Sequence, residues 1–161
     1  MRKVLARLCT KSAILIGSWA WVPKFLPQIT AFDKWVQRRT QGKWSLLRLA
    51  GFPGVLLTVT GRKSGLPRST PLMCTPSSDG ILVAGSNFGG PDVPAWVGNL
   101  RTAGEASIRY KGKEIAVTAR ELHGDERATA WGEMLKTWPN YRLYEERTAR
   151  TIPVFLLVRS A

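Results

Sequence analysis

From Gly54 onward the apolar residues fall on alternate positions, with Val55, Leu57 and Val59 set against Leu56, Thr58 and Thr60. A period of two puts one set on a single face, the pattern of a strand with one side buried. Gly61-Arg62-Lys63-Ser64-Gly65 reads as a turn by its glycines, and residues 68–75 as the returning strand of a hairpin. Ser77-Ser78-Asp79-Gly80 is a second turn and residues 81–86 a third strand. Residues 106–110 and 114–121 flank Lys111-Gly112-Lys113 as another hairpin, and residues 152–158 close the set. Strands joined by tight turns pair antiparallel, so the pattern predicts an α+β domain built on a β-barrel.

Helices are expected at 94–100, where Pro94 suits a first turn, and at 125–138. The first forty residues differ from the rest. On a helix, Val4, Leu8, Leu15, Trp19 and Val22 line one side while Arg7, Lys11 and Ser18 line another. The uncharged run 12–22 is shorter than the roughly 20 apolar residues a bilayer span needs, and Pro23 and Pro27 stop it. This amphipathic helix is expected to lie in a membrane interface or to pack on protein, and Trp19 and Trp21 disfavour a signal-peptide cleavage site. A second helix is expected with Thr30 as cap, Asp33 three residues on, and Phe32, Trp35 and Val36 at helical spacing, ended by Gly42. The chain therefore divides into an N-terminal helical segment, 1–40, and a barrel domain, 41–161.

A chain of 161 residues carrying 24 Lys and Arg against 11 Asp and Glu has a formal charge of +13. Such a surface attracts an anion: nucleic acid, an acidic membrane, or a phosphorylated and carboxylated small molecule. With Cys9 and Cys74 far apart and His123 the one histidine, a disulfide framework, a metal cluster and a Ser-His-Asp triad lack material. The cysteine usage fits a reducing, cytoplasmic setting. The phosphate-loop and dinucleotide-binding glycine motifs are also absent from the sequence.

Three stretches could carry chemistry. Arg62, Lys63 and Arg68 bring three cations to one hairpin, either a solvated tip or a seat for phosphate and carboxylates. Ser86, Gly89 and Gly90 lie in a loop leading to Pro94-Ala95-Trp96, where glycines admit a planar ligand and the indole walls it, unless Trp96 simply packs in the core. Trp138, Tyr141 and Tyr144, at helical spacing, either fill the core or line an apolar pocket with hydroxyls at its edge.

Taken together, Leu56-Leu57-Thr58-Val59-Thr60-Gly61-Arg62-Lys63-Ser64-Gly65-Leu66-Pro67-Arg68-Ser69-Thr70-Pro71-Leu72, Ala84-Gly85-Ser86-Asn87-Phe88-Gly89-Gly90, Pro94-Ala95-Trp96 with Asn99-Leu100, and Trp138-Pro139-Asn140-Tyr141 through Arg150-Thr151-Ile152-Pro153-Val154 resemble the deazaflavin-dependent nitroreductase family of mycobacteria and related actinobacteria. The resemblance covers roughly residues 30–158. It implies a split β-barrel, coenzyme F-420 as hydride carrier, and a quinone, nitroaromatic or activated alkene as acceptor, with no nucleic acid involved. It also implies that Arg62, Lys63, Ser64, Gly65 and Arg68 take the phosphate and acidic tail. Pro71, Met73, Ser86, Gly89, Gly90 and Trp96 would surround the ring, and Trp138, Tyr141 and Tyr144 would border the acceptor. The proton the product needs could come from Tyr141, Tyr144 or water. Peripheral membrane contact through the N-terminal segment agrees with some members of that family. The alternatives are FMN or heme in a related barrel, or a basic membrane-surface module with no catalysis.

Overall fold

The computed structural model describes Gln28, Ala31, Phe32, Trp35, Val36, Arg39 and residues 51–160. Val55, Leu57 and Val59 of β1 (Gly54–Thr60) all turn inward, as their alternation requires. They face a closed antiparallel barrel whose remaining strands are β2 (Pro67–Pro76), β3 (Ile81–Ala84), β4 (Glu105–Tyr110), β5 (Lys113–Glu121) and β6 (Val154–Arg159). Around the barrel the order is β1-β2-β3-β6-β5-β4, and β4 returns to β1 through Leu56↔Arg109, Leu57↔Ile108 and Thr58↔Ser107. Closure removes most of the sheet edge that would otherwise invite pairing with another chain.

Two apolar clusters result, one on each side of the wall. Inside, Val55, Leu57, Val59, Cys74, Val83, Ile108, Val117, Phe155 and Leu157 meet Trp96, Val97 and Leu100 of helix α1 (Ala95–Ala103), which plugs the interior. Outside, Leu82, Ala84, Val154 and Leu156 are roofed by helix α2 (Gly124–Thr137) and helix α3 (Tyr141–Arg147). Ala130, Trp131 and Met134 of α2 reach this roof, at helical spacing. Asp125 and Glu126 in its first turn and Lys136 in its last complement the helix dipole. Trp131 Nε1 donates to Glu145 Oε2 at 2.7 Å, and Arg127 donates twice to the Ile152 carbonyl, at 3.0 and 3.2 Å. These bonds pin α2 to α3 and to the chain entering β6.

Several boundaries move from the sequence expectation. β3 ends at Ala84 rather than 86, and the last strand starts at Val154: Pro153, opposite Gly85, accepts its N–H at 2.9 Å but has no N–H to return. α1 runs one turn past residue 100, until Gly104 at φ 69° returns its N–H to the Leu100 carbonyl and stops it. Residues 138–144 are not one helical face: Trp138 closes α2, Pro139 follows, and α3 begins afresh at Tyr141. Ala31, Phe32, Trp35, Val36 and Arg39 are helical, as expected, but so is Gln28, ahead of the expected cap at Thr30; Phe32 and Trp35 are exposed and stacked at 5.9 Å. The amphipathic helix expected before Pro23, and the boundary at residue 40, lie outside the described residues. Among the described residues no helix is long and apolar enough to cross a membrane.

Met134 is fully buried where α2 meets the barrel wall. Truncating it leaves a cavity, so Met134→Ala is expected to cost about 2–5 kcal/mol, read as a lowered urea midpoint with unchanged strand content.

Candidate active site

β2 is ten residues long but pairs with β3 only through Cys74, Thr75 and Pro76. On its other side it pairs with β1 along Pro67–Met73. The Cys74 N–H points toward β1, bonding the Pro53 carbonyl at 3.0 Å. In an extended strand backbone groups alternate sides, so Pro67, Ser69, Pro71 and Met73 direct theirs away from β1. Both prolines thus occupy positions where a missing N–H takes nothing from the ladder. Beyond Ala84 no described strand covers this stretch of β2, and the loop leaves β3 level with Met73.

A groove of about 620 Å³ lies along this stretch, lined by Gly61, Arg62, Lys63, Ser64, Pro67, Arg68, Ser69, Thr70, Ala95, Trp96 and Asn99. Its cationic end is the β1–β2 turn. The turn is closed by Gly61 N–H to the Leu66 carbonyl at 2.9 Å and Gly65 N–H to the Gly61 carbonyl at 2.8 Å, with Gly65 at φ 67°. Arg62 lies across α1: its Nη1 donates to the Ala95 carbonyl at 3.2 Å and to Asn99 Oδ1 at 3.3 Å, and its backbone N–H reaches the same Oδ1 at 3.2 Å. A Cβ at Gly98 would collide with that guanidinium, so the glycine makes the contact possible. Arg68 Nη2 reaches Ser64 Oγ at 3.4 Å, and Lys63 is exposed on the rim.

The loop after β3 lies outside the groove's lining. Asn87 (φ 46°), Phe88 (φ 55°) and Gly89 (φ 77°) are three successive left-handed residues. For the two that carry a Cβ, this conformation costs about 1–2 kcal/mol each, so neighbours must hold it. Arg150 does so from behind, donating Nε to the Gly90 carbonyl at 3.1 Å, Nη1 to Gly85 at 3.1 Å and Nη2 to Ser86 at 2.9 Å. Partial burial draws the Arg150 guanidinium below the usual arginine range, with Asp92 opposing that shift. Asn87 Nδ2 donates to the Asp92 carbonyl at 3.1 Å. A Cβ on Gly89 would come within 2.8 Å of the Tyr144 carbonyl, so the loop rests directly on α3.

Trp96 serves both readings at once, packing on Phe155 at 5.9 Å in the barrel and lining the groove. Trp138, Tyr141 and Tyr144 lie in the outer cluster and do not line the groove. Trp138 Nε1 donates to the Tyr144 hydroxyl at 3.3 Å, and Phe88 of the loop lies 5.4 Å from the Tyr144 ring. Burial pushes the Tyr144 hydroxyl up to about 12 and raises Tyr141 further, so both are protonated at neutral pH. Burial likewise pushes the Cys74 thiol up to about 12, which makes it a packing residue and not a nucleophile. His123 is exposed at the start of α2, and no metal-binding cluster exists among the described residues.

Of the residues singled out in sequence, Arg62, Lys63, Ser64, Arg68 and Trp96 share the groove. Pro71 and Met73 continue the strand beyond it, while Ser86, Gly89 and Gly90 lie in the loop after β3 and do not line it. Gly65 shapes the turn from outside the lining. Asn99 and Arg150 belong to the stretches that carry the resemblance, but sequence assigned neither a role. Asn99 is buried and holds Arg62; its spacing one turn after Trp96 on a short helix was the available signal. The contacts of Arg150 had no local signal, because its partners stand 60 to 65 positions earlier.

The family model described as F420H2-dependent quinone reductase matches residues 31–159. An F420H2-dependent quinone reductase of Mycobacterium tuberculosis is 34% identical over 110 residues, covering 66% of this chain and 74% of that protein. Among solved structures, an F420-H2 dependent reductase (FDR-A) is 37% identical with a TM-score of 0.61, over 65% of this chain and 93% of that one. Another, described as a domain-swapped dimer, is 34% identical with a TM-score of 0.63, over 77% and 97%. The groove gathers Arg62, Lys63 and Arg68 beside Trp96, an arrangement able to take an anionic group next to an indole wall. The chain therefore belongs to the F420H2-dependent quinone reductase family, as a split-barrel oxidoreductase that passes a hydride from reduced coenzyme F-420 to a small organic acceptor.

Proposed function

We propose that the groove beside β2 is the F-420 site, with Arg62, Lys63, Ser64, Gly65 and Arg68 taking the phosphate and acidic tail. Pro71, Met73, Ser86, Gly89, Gly90 and Trp96 then surround the ring. The observation that carries this reading is the run of unshared strand edge between the cationic turn and the glycine loop. Bound there, the reduced ring supplies a hydride, so no covalent nucleophile is asked of the protein. The chain's task is to hold and orient. Arg62, braced on Asn99 and Ala95, presents a fixed charge, while Lys63 and Arg68 adapt to the ligand.

The acceptor, a quinone, nitroaromatic or activated alkene, is placed on the Phe88 side of the loop, where Trp138, Tyr141 and Tyr144 form the wall behind. Tyr144 is the proposed proton donor, with Tyr141 behind it; both hold their protons throughout neutral pH. Peripheral membrane contact through residues 1–40 belongs to the same reading. Residues 1–50 hold ten Lys and Arg against one Asp, and Phe32 and Trp35 are exposed.

Replacing Lys63 and Arg68 by Ala is expected to weaken F-420 by about tenfold or more per lost charged bond, while a deazaflavin without phosphate or tail binds unchanged. Equal losses on both ligands, or preference for FMN or heme in the same fluorescence titration, would refute the assignment.

Tyr144→Phe, alone and with Tyr141→Phe, is expected to lower the maximal rate with little change in cofactor affinity. An unchanged pH–rate profile removes both tyrosines as donors. Because the folded Tyr144 hydroxyl titrates near 12 against an ordinary value of 10.0, its share of stability is complete below pH 10 and disappears as pH rises through 12. Wild-type urea midpoints should therefore fall more steeply over that window than those of Tyr144→Phe.

Cosedimentation with anionic vesicles, released by added salt and reduced by Phe32→Ser with Trp35→Ser, checks the membrane contact. Retention on neutral vesicles alone would contradict it.

A further inference from the structure

Arg150 makes three hydrogen bonds to backbone carbonyls of one loop, and none of the residues it grips is near it in sequence. The loop it grips contains the left-handed run Asn87–Gly89, whose two non-glycine members would relax without restraint. Its three acceptors, Gly85, Ser86 and Gly90, bracket that run on both sides. A planar five-donor fork can bridge three carbonyls at once; a lysine ammonium, a point charge, has no such fixed geometry. Arg150 also stands just before Pro153, whose carbonyl holds the Gly85 N–H, so the clamp and the entry to β6 act on the same end of the loop.

We propose that Arg150 is a positioning residue for the deazaflavin ring: by holding the carbonyls of Gly85, Ser86 and Gly90 on the rear of the loop, it fixes the left-handed turn as the ring's shelf. It touches neither ring nor acceptor and acts through the backbone it orders. The inference rests on the cofactor reading above, and its consequence is a division of labour. Lys63 and Arg68 serve the tail, and Arg150 serves the flat end.

Two measurements on the full chain test it. In the ligand-free protein, hydrogen exchange of the Gly85, Gly89 and Gly90 amides, which bond Pro153, Ser86 and Asn87, reports the loop, and the Leu122 amide, bonded to Val154, reports the barrel wall. Arg150→Lys and Arg150→Ala should speed loop exchange tenfold or more and leave Leu122 unchanged. In titrations, both variants should weaken F-420 and the tail-free deazaflavin by the same factor, and millimolar guanidinium ion should restore Arg150→Ala but not Lys63→Ala. Loop exchange at the wild-type rate, a loss confined to the tailed ligand, or failure of both variants to fold would overturn the proposal. A loop that loosens in a protein whose wild type ignores both deazaflavins would leave the clamp standing, overturn its role toward the ring, and remove the cofactor reading with it.

Discussion

Because β2 outruns β3, a barrel that is closed in the order of its strands is still open along one wall, and everything at the site follows from that mismatch. Backbone polar groups on Pro67, Ser69, Pro71 and Met73 face away from β1, and of the four only Met73, level with Ala84, has a described strand beside it. Two of the four are prolines, which lowers the number of donors a ligand or solvent must satisfy and blunts the edge against pairing with another chain. A site on a strand paired along its other side is held more rigidly than one built from loops alone. The glycine loop is irregular, and the Arg150 fork restrains it.

The two apolar clusters are coupled through that loop. Gly85 is wedged between Val97 of the interior cluster and Pro153 before β6, and a Cβ there would meet Val97 Cγ2 at 2.7 Å. Gly89 sits on the backbone of Tyr144 in the outer cluster. Four residues apart, these glycines tie the loop to both cores, so a packing change under α3 reaches the shelf without touching a ligand. This gives the outer aromatic residues a structural consequence at the site whatever their part in proton transfer: Trp138 holds the Tyr144 hydroxyl, Tyr144 supports Phe88 and Gly89, and the loop follows.

Strand periodicity, hairpin turns and the position of the basic turn were legible in the sequence because each depends on residues within a few positions. Lys111 at φ 50° and Gly112 at φ 80° make the β4–β5 turn that Lys111-Gly112-Lys113 announced. The glycine loop was legible as a loop, but its left-handed course was not, since Asn87 and Phe88 adopt it only under restraint from Arg150 and α3. Tyr141 and Tyr144 were read as a helical pair and are one, yet their burial under the loop depends on the break at Trp138-Pro139, which turns α3 onto the barrel. Asn99 looked like any polar residue on a short helix. Its role appears only once the β1–β2 turn is folded over α1.

The distribution of the +13 charge separates two demands. Fourteen Lys and Arg against ten Asp and Glu follow residue 50, so the barrel portion alone is only mildly basic. Much of that charge is locally compensated, as by Glu121 on Arg101 and Glu126 on Arg120, exposed pairs that add little stability. Their effect is to quiet the barrel surface, while Arg62, Lys63 and Arg68 stand together at one end of the groove. A long-range field spread over the barrel would draw any polyanion, whereas three cations at the mouth of a groove select a small acidic ligand that can also reach the shelf. The larger excess, in residues 1–50, is therefore not needed to explain the site, and it is the charge on which the proposed membrane contact rests.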